Sequence, residues 1–249
     1  MNNYLPFTEK TKMADVIHMD FRLIPIIGRF GIDYGFQDKT IADVCEEQGI
    51  NRCFFLEIIN LYHNPNYISE KQNQDFDCDL TIQYMLKTHA YYRNRKIPEI
   101  EKIIEEMERK VSGKNRNNIT LLKDFFYKYK NELEKHLSYE EPAIFAYAGR
   151  LKDALSKNIY EQELIHKIKS NPLEEYPEHS NLKFKLSDLK NLIIRYLPPV
   201  LCKASCQRLL IALFHLENDL DNHFKIEEKV LITQIKSLEK KILERYDNR

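Results

Sequence analysis

The sequence predicts an all-α protein: a small helical N-terminal domain followed by an up-down bundle of four long helices. Two observations predict it. Only six glycines and nine prolines are spread over 249 residues, so long stretches rich in Leu, Ile, Lys and Glu run without helix breakers. In the later part of the chain, apolar residues recur at alternating steps of four and three. That is the period of a helix burying one stripe in a bundle core.

Residues 1–62 form the predicted small domain. ADVIHMDFRLIPIIGRF is apolar at helical spacing and stops at Gly31. Asp38-Lys39-Thr40 opens TIADVCEEQGI, which stops at Gly49, and Asn51 can cap RCFFLEIINLY. Residues 63–77 are polar and aperiodic, and read as a linker. Residues 78–249 form the predicted bundle. Its first helix runs from about Leu80 to Val111, with Ile82, Met85, His89 and Tyr92 on one face. Pro98 either kinks it or starts a new turn. The second runs from about Ile119 to Tyr147, with the stripe Leu122, Phe126, Tyr129, Leu133, His136, Glu140 and Ala143. After a long polar connection, the third starts near His179 and carries Leu182, Leu186, Leu189, Ile193 and Tyr196 before Pro198-Pro199 ends it. The fourth runs from about Ala204 to the C-terminus, with Leu209, Leu213, Leu216, Leu220, His223, Glu227 and Val230.

Composition narrows the function. Charged residues make up 31% of the chain and the formal net charge is zero, which gives no reason to expect nucleic acid or an anionic membrane as partner. The start MNNYLPFTEKTKMADV lacks the basic and apolar regions of a secretory signal. No apolar run approaches the ~18 residues of a membrane span. Five cysteines, an odd number without a CxxC pair, fit free thiols in a reducing cytoplasm. Cys202 and Cys206 can share a helical face, and Cys45 and Cys53 read as packing residues. TIADVCEEQGINRCFFLEIINLY has a helix-turn-helix look, but Asp38 to Tyr62 holds five acidic residues against two basic ones. That balance opposes phosphate contact.

The chemistry lies in the histidines. His136/Glu140 and His223/Glu227 each place an imidazole and a carboxylate one turn apart on a helix face. The spacing alone says little, because His215/Asp219 shares it. Register separates them: His215 precedes Leu216 and so lies about 100° off the seam. His136, Glu140, His223 and Glu227 occupy seam positions where leucine is expected, and His89 and His179 sit on the other two stripes. Burying such groups without partners costs several kcal/mol. A hydrogen-bonded His–Glu network is one way to offset that cost, and metal ligation is the other. Two pairs plus two further seam histidines favour metal. Nitrogen and oxygen donors without thiolate suit iron or manganese, with zinc less suited. Two carboxylates among four imidazoles point to two bridged ions.

At these residues the chain resembles a known family, the iron–sulfur cluster repair di-iron proteins, which carry a hemerythrin-like bundle. The segments are THAYYRNRKIPEI around His89, HLSYEEPAIF around His136, HSNLKFKLSDLKNLIIRYLPP from His179 and LENDLDNHFKIEEKVL around His223. RFGIDYGFQDKTIADVCEEQGIN resembles the small domain that precedes the bundle in that family. The resemblance implies a carboxylate-bridged pair of non-haem irons. His89, His136, His179 and His223 would be ligands, with Glu140 and Glu227 as bridges. Glu141 and Glu228 follow directly but turn off the seam, as outer-layer or solvated groups. It implies a role in restoring iron–sulfur proteins damaged by nitrosative or oxidative stress, by iron donation or by reaction with NO or O2, and a homodimer.

Two departures qualify the resemblance. The family has a ligand histidine after helix one, where this chain reads Lys110-Val111-Ser112-Gly113. It also has adjacent cysteines after Gly-Ile-Asp, where this chain has Tyr34-Gly35-Phe36. Both raise the alternative of an O2- or NO-binding sensor or storage protein. No nucleophile, proton-transfer dyad or phosphate loop argues for a conventional hydrolase or transferase. Redox chemistry at the di-iron site is therefore the expected route to any catalysis.

Overall fold

The structure, a computed structural model, describes residues 5–64, 66–67, 76–112, 114–170, 173, 179–198 and 203–248. Cys202, Pro199 and most of the 63–77 linker lie outside the described residues. Those described are helical, with no strand among them beyond an isolated bridge between Lys12 and Thr40. No described helix is long and apolar enough to cross a membrane. By its contacts the chain divides into two compact units: Met1–Thr88 with Ala148–Ser170 and Asn222–Arg249, and His89–Tyr147 with Asn171–Asp221.

In the first unit, α1 (Met13–Met19) and α2 (Ile24–Arg29) replace the single predicted helix. The break falls at Asp20, which adopts an extended backbone and caps a 3-10 turn over Phe21–Leu23. Its carboxylate accepts from the Arg22 backbone N–H and guanidinium, an alternative to the helical ladder. α3 (Ile41–Glu47) and α4 (Arg52–His63) start where predicted. Thr40 and Asp43 form a reciprocal capping box, and Asn51 Oδ1 accepts from Phe54 N at 2.9 Å. Gly49, at φ +64°, takes the left-handed turn that ends α3. Phe55, Ile58 and Ile59 of α4 are fully buried, as are Ile27 and Ile41.

α5 (Cys78–Tyr91) follows, and its Tyr84 ring lies 5.1 Å from that of Phe30. Thr81 donates to Gln234 Oε1 at 2.9 Å, within the same unit. The remaining helices are α6 (Ile97–Lys110), α7 (Lys114–Glu140), α8 (Ala146–Lys157), α9 (Gln162–Lys169), α10 (Ser180–Asn191), α11 (Lys203–Ile226) and α12 (Ile232–Asp247). α9 occupies part of the stretch read from sequence as a polar connection. Leu164, Ile165 and Ile168 are its buried face, an amphipathic pattern too short to stand out among charged neighbours.

In the second unit α7 packs against both α6 and α10. Ile100, Ile104 and Met107 of α6, Leu122, Phe126 and Leu133 of α7, and Leu186 and Leu189 of α10 supply its apolar core.

Among the described residues, four π-helical turns fall within or at the end of the long helices: Tyr92–Lys96, Glu141–Phe145, Leu192–Tyr196 and Glu227–Leu231. Each closes with a bond from a backbone N–H to the carbonyl five residues back, as from Ile97 to Tyr92 and from Ala146 to Glu141. A π turn holds one extra residue, so the register after it moves by one position. The predicted stripe of helix two therefore fails after Glu140: Ala143 is only half-buried, while Ile144 and Phe145 are buried. Tyr196, predicted on the third stripe, is 72% exposed at the end of its π turn. Pro98 and Pro142 sit at two of these turns. Proline lacks an N–H and crowds the carbonyl four residues back, and a widened turn relieves both problems.

Candidate metal centre

All six residues chosen by seam register are buried: His89, Glu140, His223 and Glu227 at 0% exposure, His179 at 6% and His136 at 8%. Four of them belong to the second unit. His136 and Glu140 lie one turn apart on α7, on the face that carries Phe126, Tyr129 and Leu133. His89 is in the last turn of α5. His179 occupies the N-cap position of α10, where the packing of α10 on α7 brings its ring to 5.0 Å from that of His136, nearly perpendicular.

Glu140 is the centre of this group. Its Oε1 lies 2.5 Å from His136 Nε2, and its Oε2 lies 3.1 Å from His89 Nε2. The two oxygens of one carboxylate thus face two different histidines. Ligand atoms of His136, Glu140 and His179 lie within 4.8 Å of one another. Two donors on one ion at about 2.0–2.2 Å cannot be more than about 4.4 Å apart. The upper bound on their spacing is thus close to the span that one ion can bridge. These buried histidine and glutamate groups can hold a metal ion. The donor set is imidazole nitrogen with carboxylate oxygen and no thiolate.

The far side of His89 is also held. Its Nδ1 lies 2.9 Å from Glu141 Oε1. Arg93 Nη1 donates to that same oxygen at 2.5 Å, and Arg93 Nε donates to both oxygens of Glu134, at 2.9 and 3.0 Å. Burial pushes the Glu141 carboxyl up, but the hydrogen bonds and charges of His89 and Arg93 prevail and hold it below the usual carboxylate range. The Phe145 ring lies 5.4 Å from the His89 ring. Sequence register placed Glu141 off the seam but did not reveal its partner, because the π turn that begins at Glu141 changes where that side chain lies. Arg93 and Glu134 were missed altogether. Charged residues on exposed helix faces are ordinary, and only Pro98 and Pro142 hint at irregular turns.

His223 ends α11, and Glu227 opens the π turn that follows it, both in the first unit. Of the remaining histidines, His215 lies where its off-seam register predicts. His215, His18 and His166 are exposed. His63, read as part of a connection, is instead 3% exposed at the end of α4, with Nδ1 at 3.1 Å from Asp20 Oδ2 and its ring against Phe7.

Ser112 is exposed after α6, and Tyr34 is 60% exposed. Cys45 is buried, and burial pushes its thiol up to about 11, so it is an inert packing group. Cys53, expected to pack, is exposed on the first turn of α4. Tyr92 and Tyr129 are buried. Burial, reinforced by the charge of Glu217, raises the Tyr129 phenol and keeps it neutral. Its hydroxyl has no hydrogen-bond partner among the described residues.

No protein-family model matches the chain, and no curated protein matches it either.

Proposed function

We propose that the protein is a non-haem di-iron protein of the hemerythrin-like, four-helix type, acting in the repair of iron–sulfur clusters damaged by nitrosative or oxidative stress. The observation that carries the metal reading is Glu140, a fully buried carboxylate with one oxygen at His89 and the other at His136. A carboxylate placed so can serve two ions and share its charge between them. In this reading His89, His136, His179 and His223 would be the imidazole ligands, and Glu140 and Glu227 would be the carboxylates that hold the ions. His223 and Glu227 enter on their seam register and complete burial.

Bound iron supplies one-electron redox change and coordination of small molecules such as NO or O2. The chain itself would supply buried carboxylate and imidazole donors. The repair role rests on the family resemblance of the ligand-bearing segments. Its partners would be damaged iron–sulfur proteins, and a homodimer fits the same reading.

A second reading, a sensor or store that binds O2 or NO reversibly, is favoured by two features. Ser112 replaces a ligand histidine and is exposed, and Tyr34-Gly35-Phe36 replaces the expected thiols. One experiment separates the two. Iron-loaded protein is mixed with an iron–sulfur enzyme inactivated by NO. Recovered activity supports repair. Reversible diatomic binding without recovery supports the sensor and overturns the repair role.

A further inference from the structure

We propose that Glu141 is a positioning residue for the metal centre: it fixes the ring of His89 through Nδ1 so that Nε2 is presented inward, and Arg93 locks it in place. This rests on the metal reading of His89 and Glu140. Two consecutive glutamates divide one histidine between them. Glu140 Oε2 stands 3.1 Å from His89 Nε2, and Glu141 Oε1 stands 2.9 Å from His89 Nδ1. An imidazole that binds a metal through one nitrogen carries a proton on the other. A carboxylate accepting that proton fixes the ring orientation and makes the bound nitrogen more basic.

Glu141 is itself restrained. Arg93 Nη1 donates to the same oxygen at 2.5 Å. Arg93 Nε is held by Glu134, and Nη2 donates to Ser138 at 3.2 Å. Ser138 in turn donates to Glu134 Oε1 at 3.0 Å. The chain of contacts therefore runs from a fully buried imidazole to an exposed ion pair, with 27% of the Arg93 side chain and 51% of the Glu134 side chain accessible. Two members of the network lie at π turns. Tyr92–Lys96 contains Arg93, and Glu141–Phe145 begins at Glu141. Irregular turns at both positions are what a side-chain constellation off the regular seam requires.

The network also explains why Glu141 is a glutamate although it faces away from the seam. A solvated residue has no reason to sit only 31% exposed against a buried histidine. Its charge is balanced by Arg93, so Glu141 adds orientation to the site without adding an uncompensated negative charge.

The test measures anaerobic Fe(II) binding by the full chain as wild type, Glu141→Ala, Glu141→Gln and Arg93→Met. Ring NMR of histidine-labelled, zinc-loaded protein reads the His89 Nδ1 proton directly. Glu141→Ala is expected to weaken Fe(II) binding by about 10–100-fold and to lose the protected Nδ1 proton signal. Glu141→Gln, which keeps an acceptor oxygen, is expected to retain that signal and recover most of the affinity. Arg93→Met is expected to fall between them. Glu141→Ala binding Fe(II) as the wild type does, or Glu141→Gln being as weak as Glu141→Ala, overturns the positioning role and leaves the metal reading standing. A wild type that takes up neither Fe(II) nor zinc overturns both.

Discussion

Asp20 and Glu140 are both buried carboxylates that meet histidine, and they do so differently. Asp20, 4% exposed, accepts from the Arg22 guanidinium at both oxygens, from the Arg22 backbone and from the His63 side. Arginine cannot be deprotonated in a protein, so the charge of Asp20 is matched within the chain. Glu140, 0% exposed, turns one oxygen to each of two imidazoles, with a third imidazole, His179, within 4.8 Å of the same cluster. The first arrangement is a structural ion pair that breaks a helix and ties α4 to the turn before α2. The second sets imidazole nitrogens on both sides of one carboxylate. The contrast separates a buried His–carboxylate contact that supports the fold from one that can hold a metal.

The comparison can be broken at several places. Glu140→Ala removes both shared oxygens and is expected to abolish metal binding, measured as metal content of protein purified from iron-replete cells. Full metal content in that variant ends the bridging role. On the same helix, Phe126→Ala is expected to cost about 3–5 kcal/mol in denaturant unfolding of the metal-free protein. Phe126 lies on the apolar half of the α7 stripe, 1% exposed.

Much of this was legible in the sequence, and the failures have one main cause. The capping of α3 and α4 by Thr40 and Asn51 and the buried faces of α6, α7, α10 and α11 follow from cap chemistry and helical period. The six buried His and Glu positions follow from the same seam, and the decoy His215 falls outside it as an exposed residue. What was lost depends on the π turns. Each shifts register by one, so Ala143 and Tyr196 were assigned to stripes they leave. Glu141 was left without its partner. Period analysis assumes an unbroken ladder, and an insertion of one residue per turn is invisible to it unless a proline such as Pro142 marks the place. The break at Asp20 was missed for a different reason. Besides Arg22, two residues on, its partner is His63, 43 residues away, and that tertiary contact lies outside any local pattern.

Replacing the ligand pair instead of one member sharpens the contrast. His136→Leu combined with Glu140→Leu removes two buried polar groups from an apolar seam. In the metal-free protein this is expected to raise stability by about 1–4 kcal/mol, read in urea unfolding. A loss of stability would show that the pair serves the fold, as Asp20 does.

At Asp20 the sign is opposite. Burial raises its carboxyl, yet Arg22 and His63 outweigh this and bring it below its ordinary 3.8. Its stabilisation is therefore present above the unfolded value and lost as pH falls through the lower folded value. Asp20→Asn is expected to cost about 1–3 kcal/mol at pH 7, with the difference from wild type shrinking below about pH 4 and metal content unchanged. The smallest effect belongs to His215→Ala. An exposed residue with ligand spacing but off-seam register is expected to change stability by less than about 0.5 kcal/mol and metal content not at all.

The central claim, that buried histidines and glutamates on the helical seams form a metal centre, meets its most direct test in elemental analysis of the full-length protein purified anaerobically from iron-replete cells. The account predicts a pair of irons per chain, lost together in Glu140→Ala. Protein that is folded, monodisperse and metal-free after that preparation, and that takes up no Fe(II) on titration, would contradict it.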